Sequence, residues 1–432
     1  MGITIKDILT LQEGSAGFEV KKKTVYVEKD RIVGIDEKPE GFEADREIDG
    51  KDRFLIPGLI NCHTHAYMSL FRNSADDLAF TDWLFGNILP LEDKMEDEDA
   101  YWGAKLAMIE MLKSGTTCFL DMYIQTNQTI RAVKECGMRA VLSRGLVGDG
   151  ASDEGGERRL REALSEYEAW KDCDRINFML APHAPYSCDA GYLRYVTDVA
   201  KKHNLGIHIH LAESKDEIAN MKKAHGCTPI EYVEKAGIFE VPVLAAHCVN
   251  LTDSDMDILK AGGASVATNP VSNMKLGNGF ADLVGMQKKG INICLGTDGA
   301  ASNNSLNMFH EMNMAALIHK GNHQSAQCIS AEDVLRFATG NAAKALGMAD
   351  QIGKIEKGYK ADLVILELNT PSLRPKNNLV GALAYSASGA EVDTVIVDGN
   401  ILMDNRELTT IDEYEVYEEV ERRSGRLGIK KY

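Results

Sequence analysis

Through the middle of the chain, short runs of apolar and β-branched residues alternate with longer stretches in which apolar side chains return every three or four positions. Runs of the first kind cover 54–65, 116–122, 139–146, 176–183, 206–213, 243–247, 264–268 and 291–298, and each predicts a strand. Between them the spacing predicts helices. The clearest is Asp97–Lys113, where Ala100, Ala104, Ala107, Met108, Met111 and Leu112 share one face and Ser114-Gly115 supplies the stop. Strands separated by helices imply parallel β/α units, and eight such strands close into a barrel.

The two ends follow a different rhythm. Val25-Tyr26-Val27 and Ile32-Val33-Gly34-Ile35 flank a polar turn, and Val395-Ile396-Val397 runs into Asp398-Gly399, a strong hairpin signal. The expected fold is therefore α/β: a (β/α)8 TIM-type barrel over 57–360, with a small β-sandwich domain assembled from 1–56 and 361–432. The last segment predicts a helix capped by Thr410-x-x-Glu413, with Tyr414, Tyr417 and Val420 packed on the body.

Composition narrows the functional classes. With 48 basic and 65 acidic side chains among 432 residues, the net charge of −17 would repel a phosphate backbone, so no nucleic-acid partner is expected. No apolar run approaches the roughly 18 residues of a membrane span, and the N-terminus does not read as a secretion signal, so a cytoplasmic protein is expected. Nine cysteines with no Cys-x-x-Cys pair suit reduced thiols better than a disulfide framework or a thiolate zinc site.

Five of the eleven histidines fall at predicted C-terminal strand ends: His63, His65, His183, His210 and His247, and Asp298 ends the eighth strand. In a β/α barrel those ends converge on one mouth, where the chemistry is done. His63 and His65, two apart in an extended strand, face the same side and can share one ion. His210 and Asp298 can complete a mixed nitrogen and oxygen site with a position open for water. Any one of these alone reads as a core histidine or a capping aspartate, but five histidines at one mouth outweigh that reading. Glu213 either points into the mouth or is an acid at a helix N-terminus. Glu92 opens an acidic stretch of a kind usually solvated, Arg144 suits a structural ion pair, Trp83 suits packing, and Ser302 suits a contact near the aspartate or an N-cap.

The run Ile56-Pro57-Gly58-Leu59-Ile60-Asn61-Cys62-His63-Thr64-His65 resembles the metal motif of the amidohydrolase superfamily. His210-Leu211-Ala212-Glu213, Ala246-His247-Cys248 and Gly296-Thr297-Asp298-Gly299 follow in that family's order. Asp82-Trp83-Leu84-Phe85, Leu89-Pro90-Leu91-Glu92-Asp93, Ser143-Arg144-Gly145-Leu146 and Ala181-Pro182-His183-Ala184-Pro185-Tyr186 are most similar to the 5′-methylthioadenosine and S-adenosylhomocysteine deaminases. The resemblance implies one divalent metal ion per subunit, zinc or else ferrous iron, on His63, His65, His210 and Asp298. The fourth strand lacks the lysine that members with two metals carboxylate, which implies a mononuclear site.

It further implies that Asp298 takes a proton from water, His247 orients that water, and Glu213 protonates the ring nitrogen beside the amino-bearing carbon of an adenosine derivative. His183 would meet the purine on its sugar side, Glu92 the ribose hydroxyls, and Trp83 would close over the ligand. Arg144 and either Arg158 or Arg159 would take the carboxylate of S-adenosylhomocysteine, Arg144 reaching a neighbouring subunit's site in a homo-oligomer, and Ser302 would be a further contact. Two readings compete with this one: an amidohydrolase acting on guanine, cytosine or a triazine, and a catalytically dead barrel serving as a scaffold. Intact ligands and Glu213 disfavour the scaffold.

Overall fold

The computed structural model describes residues 2–14, 17–150 and 154–429. Eight parallel strands, Leu59–Thr64, Thr116–Tyr123, Arg139–Leu146, Ile176–Pro182, Gly206–Leu211, Val243–His247, Ser265–Thr268 and Asn292–Leu295, lie side by side in chain order. Helices cover their outer face, so the strands are buried on both sides and read as nearly continuous apolar runs. Ile60, Cys62, Leu120, Val141, Leu244 and Cys294 fill the interior. The ring closes where Thr297 N and Asp298 N both donate to His63 O, at 3.0 and 2.9 Å.

The run expected as one strand over 54–65 divides at Gly58. Arg53–Pro57 pairs antiparallel with Leu363–Glu367 in the terminal sheet, and Leu59–Thr64 opens the barrel. A side chain on Gly58 would collide with Thr117, so only glycine lets the chain cross so close to the second barrel strand. The helix Asp97–Lys113 has the predicted bounds, and Glu96 with Asp99 forms its capping box.

Both chain ends build one mixed nine-stranded sheet. Its longest strand, Gly2–Gly14, changes partner at a bulge between Ile5 and Ile8: the part before it pairs with Arg46–Asp49, the part after it with Arg53–Pro57. Ile3, Ile5, Val25, Val27, Ile48, Leu363 and Ile396 form a core separate from the barrel's. Asp398 and Gly399, both at positive φ, make the expected hairpin between Val392–Val397 and Asn400–Asp404. Buried Arg139 of the third barrel strand ties the two parts together, with hydrogen bonds to Asp362 at 2.7 and 3.1 Å and to Asp398 at 2.9 Å.

The terminal helix, Glu413–Leu427, corrects the expected cap and face. Asp412 is the N-cap, accepting from Tyr414 N and Glu415 N, while Thr410 Oγ1 donates to Cys136 O. Val416, Val420, Arg423 and Leu427 turn inward; Tyr414 is 82% and Tyr417 40% exposed, because the helix begins two residues later than the Thr-x-x-Glu pattern implies. All nine cysteines are free. Among the described residues no helix is long and apolar enough to cross a membrane.

Candidate active site

At the C-terminal rim, alternation along the first barrel strand turns Asn61, His63 and His65 to the same side. Asn61 locks this strand to the eighth: its Nδ2 donates to Thr297 Oγ1 at 2.7 Å and its Oδ1 accepts from Thr297 N at 3.1 Å. That closure brings Asp298 Oδ1 to 3.4 Å from His63 Nε2 and 3.2 Å from His65 Nε2. Two groups of donor atoms result, each within 4.8 Å: His63, His65 and Asp298, and His63, His210 and His247. His63 belongs to both. Three residues at the rim, Ala212, His247 and Asp298, have φ of 52°, 70° and 63°, a left-handed conformation uncommon outside glycine and concentrated at functional sites.

The partners of the other ring nitrogens decide where the lone pairs point. His65 Nδ1 is 2.6 Å from Met122 O and His210 Nδ1 is 2.8 Å from His183 O; a carbonyl only accepts, so both Nδ1 atoms carry protons. His208 Nδ1 donates to Leu244 O at 3.0 Å, which leaves the Nε2 of neutral His208 to accept from His63 Nδ1 at 2.8 Å. Burial keeps His208 neutral by pushing its pKa well below the usual range. The Nε2 atoms of His63 and His65 therefore face a carboxylate oxygen, and buried His63 Nε2 has no hydrogen-bond partner. Converging lone pairs repel unless a cation sits among them, and this donor set suits a divalent ion.

Electrostatics agree. Burial opposes ionisation of Asp298, yet the imidazoles of His63 and His65 beside it hold it well below the carboxylate range. Burial drives His63 down to about 3. His65 resists the same burial because Asp298 raises it to about 9. Ser272 Oγ and Ser302 Oγ donate to Asp298 Oδ2 at 2.6 and 2.9 Å, and Gly299 N donates to Oδ1 at 2.8 Å, which fixes the carboxylate.

A cavity opens onto this cluster, lined by His65, His183, His210 and Asp298. Glu213 and His247 lie in its wall, with Glu213 Oε2 3.7 Å from His247 Nε2 and Oε1 accepting from Asn278 Nδ2 at 3.1 Å. Burial raises the Glu213 pKa and favours its protonated form. His247 Nδ1 meets Asn273 Oδ1 at 2.8 Å. His183, its Nδ1 3.0 Å from Ser187 Oγ, and Glu92, hydrogen-bonded by Tyr123 OH, also line the cavity. Burial pushes Glu92 up to about 7. Trp83, on the π-helix Asp82–Ile88, lines the cavity and donates from Nε1 to Ala301 O at 3.2 Å.

Three expected contacts do not line this cavity within the single chain. Ser302 is buried beneath Asp298 and does not line the cavity; its hydroxyl is taken up by the Asp298 carboxylate. Arg144 sits behind the wall, held by Glu162, by Glu166 at 3.3 Å and by the carbonyl of Ile124. Arg158 projects from the helix Glu154–Trp170 with 64% of its side chain exposed, and Arg159 donates to Val147 O at 2.9 Å. Of the loop 148–156, residues 151–153 lie outside the described residues. Sequence reasoning misses His208, Asn273, Asn278 and Tyr123. His208 and His210 repeat the His-x-His spacing of His63 and His65, so the same argument applied to the fifth strand finds His208.

Comparison with known proteins places this site in context. Residues 54–402 match the model of the amidohydrolase family. The chain is 46% identical over 431 residues, 99% of each chain, to a 5-methylthioadenosine/S-adenosylhomocysteine deaminase of Caldanaerobacter subterraneus. It is 47% identical over 427 residues, 96% of this chain and 97% of the other, to the protein of that name from Acetivibrio thermocellus. An adenosine deaminase from Xanthomonas campestris, solved with bound zinc, superposes with a TM-score of 0.93 at 30% identity, covering 99% of this chain and 98% of the other. An atrazine chlorohydrolase from Arthrobacter aurescens shares the fold, with a TM-score of 0.89 at 21% identity over 98% of this chain and 99% of the other. With its barrel, its histidine and aspartate cluster and a match across most of its length, the chain belongs to the amidohydrolase family.

Proposed function

We propose that the protein is a metal-dependent hydrolytic deaminase of adenosine derivatives, converting the 6-amino group to a 6-oxo group and releasing ammonia. The observation that carries this reading is Glu213, a buried carboxyl favoured in its protonated form, facing the cavity beside the histidine cluster. The names of the full-length relatives support the substrate class.

His63, His65, His210 and Asp298 would hold the ion, zinc by analogy with the Xanthomonas campestris enzyme. A divalent ion in such a site acidifies water and makes hydroxide available near neutral pH. Glu213 donates its proton to N1 of the purine as the oxygen of water adds to C6, which breaks the ring's conjugation. Asp298, assisted by His247, takes the proton of that water and passes it to the amino group. The C6–N bond then breaks, ammonia leaves, and the C6 hydroxyl returns its proton to Glu213 as the carbonyl forms. General acid–base steps of this kind contribute about 10² to 10⁴-fold each.

Glu92 supports recognition of ribose, since a carboxylate accepts from two vicinal hydroxyls, and Trp83 covers the ligand. Among the described residues no lysine or arginine lines the cavity, while Phe80, Leu84, Leu89 and Ile124 do. That wall suits the uncharged thioether of 5′-methylthioadenosine better than the zwitterionic tail of S-adenosylhomocysteine. The test is Glu213→Gln, followed by the absorbance change from adenine to hypoxanthine. The variant is expected to keep its metal and lose at least about 10²-fold in kcat; turnover at the wild-type rate would refute the proton-donor role.

A further inference from the structure

Glu213 reaches the cavity only because the chain makes a sharp turn between the fifth barrel strand, Gly206–Leu211, and the helix Lys215–His225. Ala212, within that turn, has a φ of 52°, which a residue with a Cβ adopts only when its surroundings impose it. The turn is pinned at all four backbone polar atoms of two consecutive residues, Ala212 and Glu213. Glu217 Oε1 accepts from Ala212 N at 3.0 Å and Glu217 Oε2 from Glu213 N at 2.8 Å. On the other side, Asn250 N donates to Ala212 O and Asn250 Nδ2 to Glu213 O, both at 2.9 Å.

Glu217 departs from the ordinary use of its position. At the helices capped by Thr228, Thr252 and Ser330, the acid three residues after the cap accepts from the cap's own N–H, completing a capping box. Ser214 caps its helix in the same way, accepting from Glu217 N at 3.1 Å, but the Glu217 carboxylate reaches back past the cap to the two residues before it. A helix cap does not require that reach, whereas holding Glu213 does. The side chain is buried.

We infer that Glu217 is a positioning residue for Glu213: its two carboxylate oxygens fix the backbone from which the proton donor projects, with Asn250 as the opposing clamp. This rests on the reading of Glu213 as that donor. In Glu217→Gln one oxygen can still accept, but the amide nitrogen meets an N–H, so the turn relaxes and Glu213 shifts relative to the purine. Misplacement of a reacting group by about 1 Å can cost about 10²-fold.

Glu217→Gln is therefore expected to lower kcat for 5′-methylthioadenosine by about 10 to 100-fold, with KM and bound metal per subunit unchanged. Combined with Glu213→Gln, it is expected to cost almost nothing further, because two residues acting through one group are not additive. A lowered melting temperature with wild-type kcat per metal-loaded subunit would overturn the inference. So would a full additional loss in the double variant. Asn250→Ala gives an independent reading should Glu217→Gln fail to fold: reduced kcat at constant KM supports the clamp, and a wild-type rate overturns it. The two failures are separable, since an inactive Glu213→Gln beside a fully active Glu217→Gln removes only the positioning role, whereas a fully active Glu213→Gln removes the donor reading as well.

Discussion

His63 Nδ1 donates a hydrogen bond to Nε2 of His208 at 2.8 Å, and His208 in turn donates to Leu244 O, so a chain of two imidazoles anchored on a backbone carbonyl sets which nitrogen of His63 faces the rim. His208 is fully buried and never reaches the cavity. Groups that orient a metal-binding histidine typically contribute about 10 to 100-fold to metal affinity. His208→Leu removes the acceptor and frees the ring of His63 to rotate. Zinc affinity measured against a competing chelator should fall by about that factor. An unchanged affinity would mean that packing alone orients His63.

The resemblance gives Arg144 to the carboxylate of S-adenosylhomocysteine, but the structure spends its guanidinium on Glu162, Glu166 and Ile124 O. A charged tail entering a cavity that no described lysine or arginine lines loses hydration without a basic side chain to replace it, at about 1 to 3 kcal/mol for each unsatisfied group. 5′-Methylthioadenosine should therefore exceed S-adenosylhomocysteine in kcat/KM by at least about 10-fold. Arg144→Met should alter both substrates by a similar factor, through the wall it supports. A loss confined to S-adenosylhomocysteine in steady-state assays would show that Arg144 leaves its ion pairs to bind that substrate.

The barrel was legible because parallel strands buried on both faces are near-continuous apolar runs, and seven of the eight begin within one residue of the positions the pattern marks. The exception is the first, where apolar character runs unbroken through Gly58 and hides a change of sheet that depends on the close approach of Thr117. Strand-end histidines were legible for the same reason as the strands, since chain order fixes which ends meet. The residues that hold them were not: Asn273, Asn278 and Ser272 come from loops and short helices whose side-chain directions depend on tertiary packing. Arg144 illustrates the limit from the other side, because its partners Glu162 and Glu166 lie on a different element, and no local spacing links them.

Glu311 supplies a pH-dependent contribution away from the reacting groups. It is fully buried, accepts from Asn303 Nδ2 at 2.6 Å and from Val271 N at 3.2 Å, and burial raises it to about 8. Because the folded pKa lies above the unfolded one, the fold binds the proton more tightly. The associated stability is complete below about 4.5 and is lost as pH rises through about 8. Melting temperature should fall between pH 6.5 and 9 more steeply in the wild type than in Glu311→Gln, whose side chain cannot ionise. Parallel slopes by calorimetry would show that Glu311 is ionised throughout.

Gly296 shows how tightly barrel closure and the site are joined. A Cβ there would lie 2.5 Å from Asn269 Oδ1 and 2.7 Å from the Cβ of His63, neighbours fixed at the end of the seventh strand and within the first. Asn269 in turn contacts His247 Nδ1 at 3.2 Å, so the displacement spreads to a second histidine of the rim. Overpacking of this kind typically costs about 1 to 3 kcal/mol. Gly296→Ala should therefore lower stability by about that amount in denaturant titrations, and should also reduce bound metal per subunit, because Thr297 and Asp298 follow directly and carry the hydrogen bonds to His63 O. A variant that is destabilised yet binds a full complement of metal would separate the closure from the metal cluster and show that the rim adjusts independently of the strands beneath it.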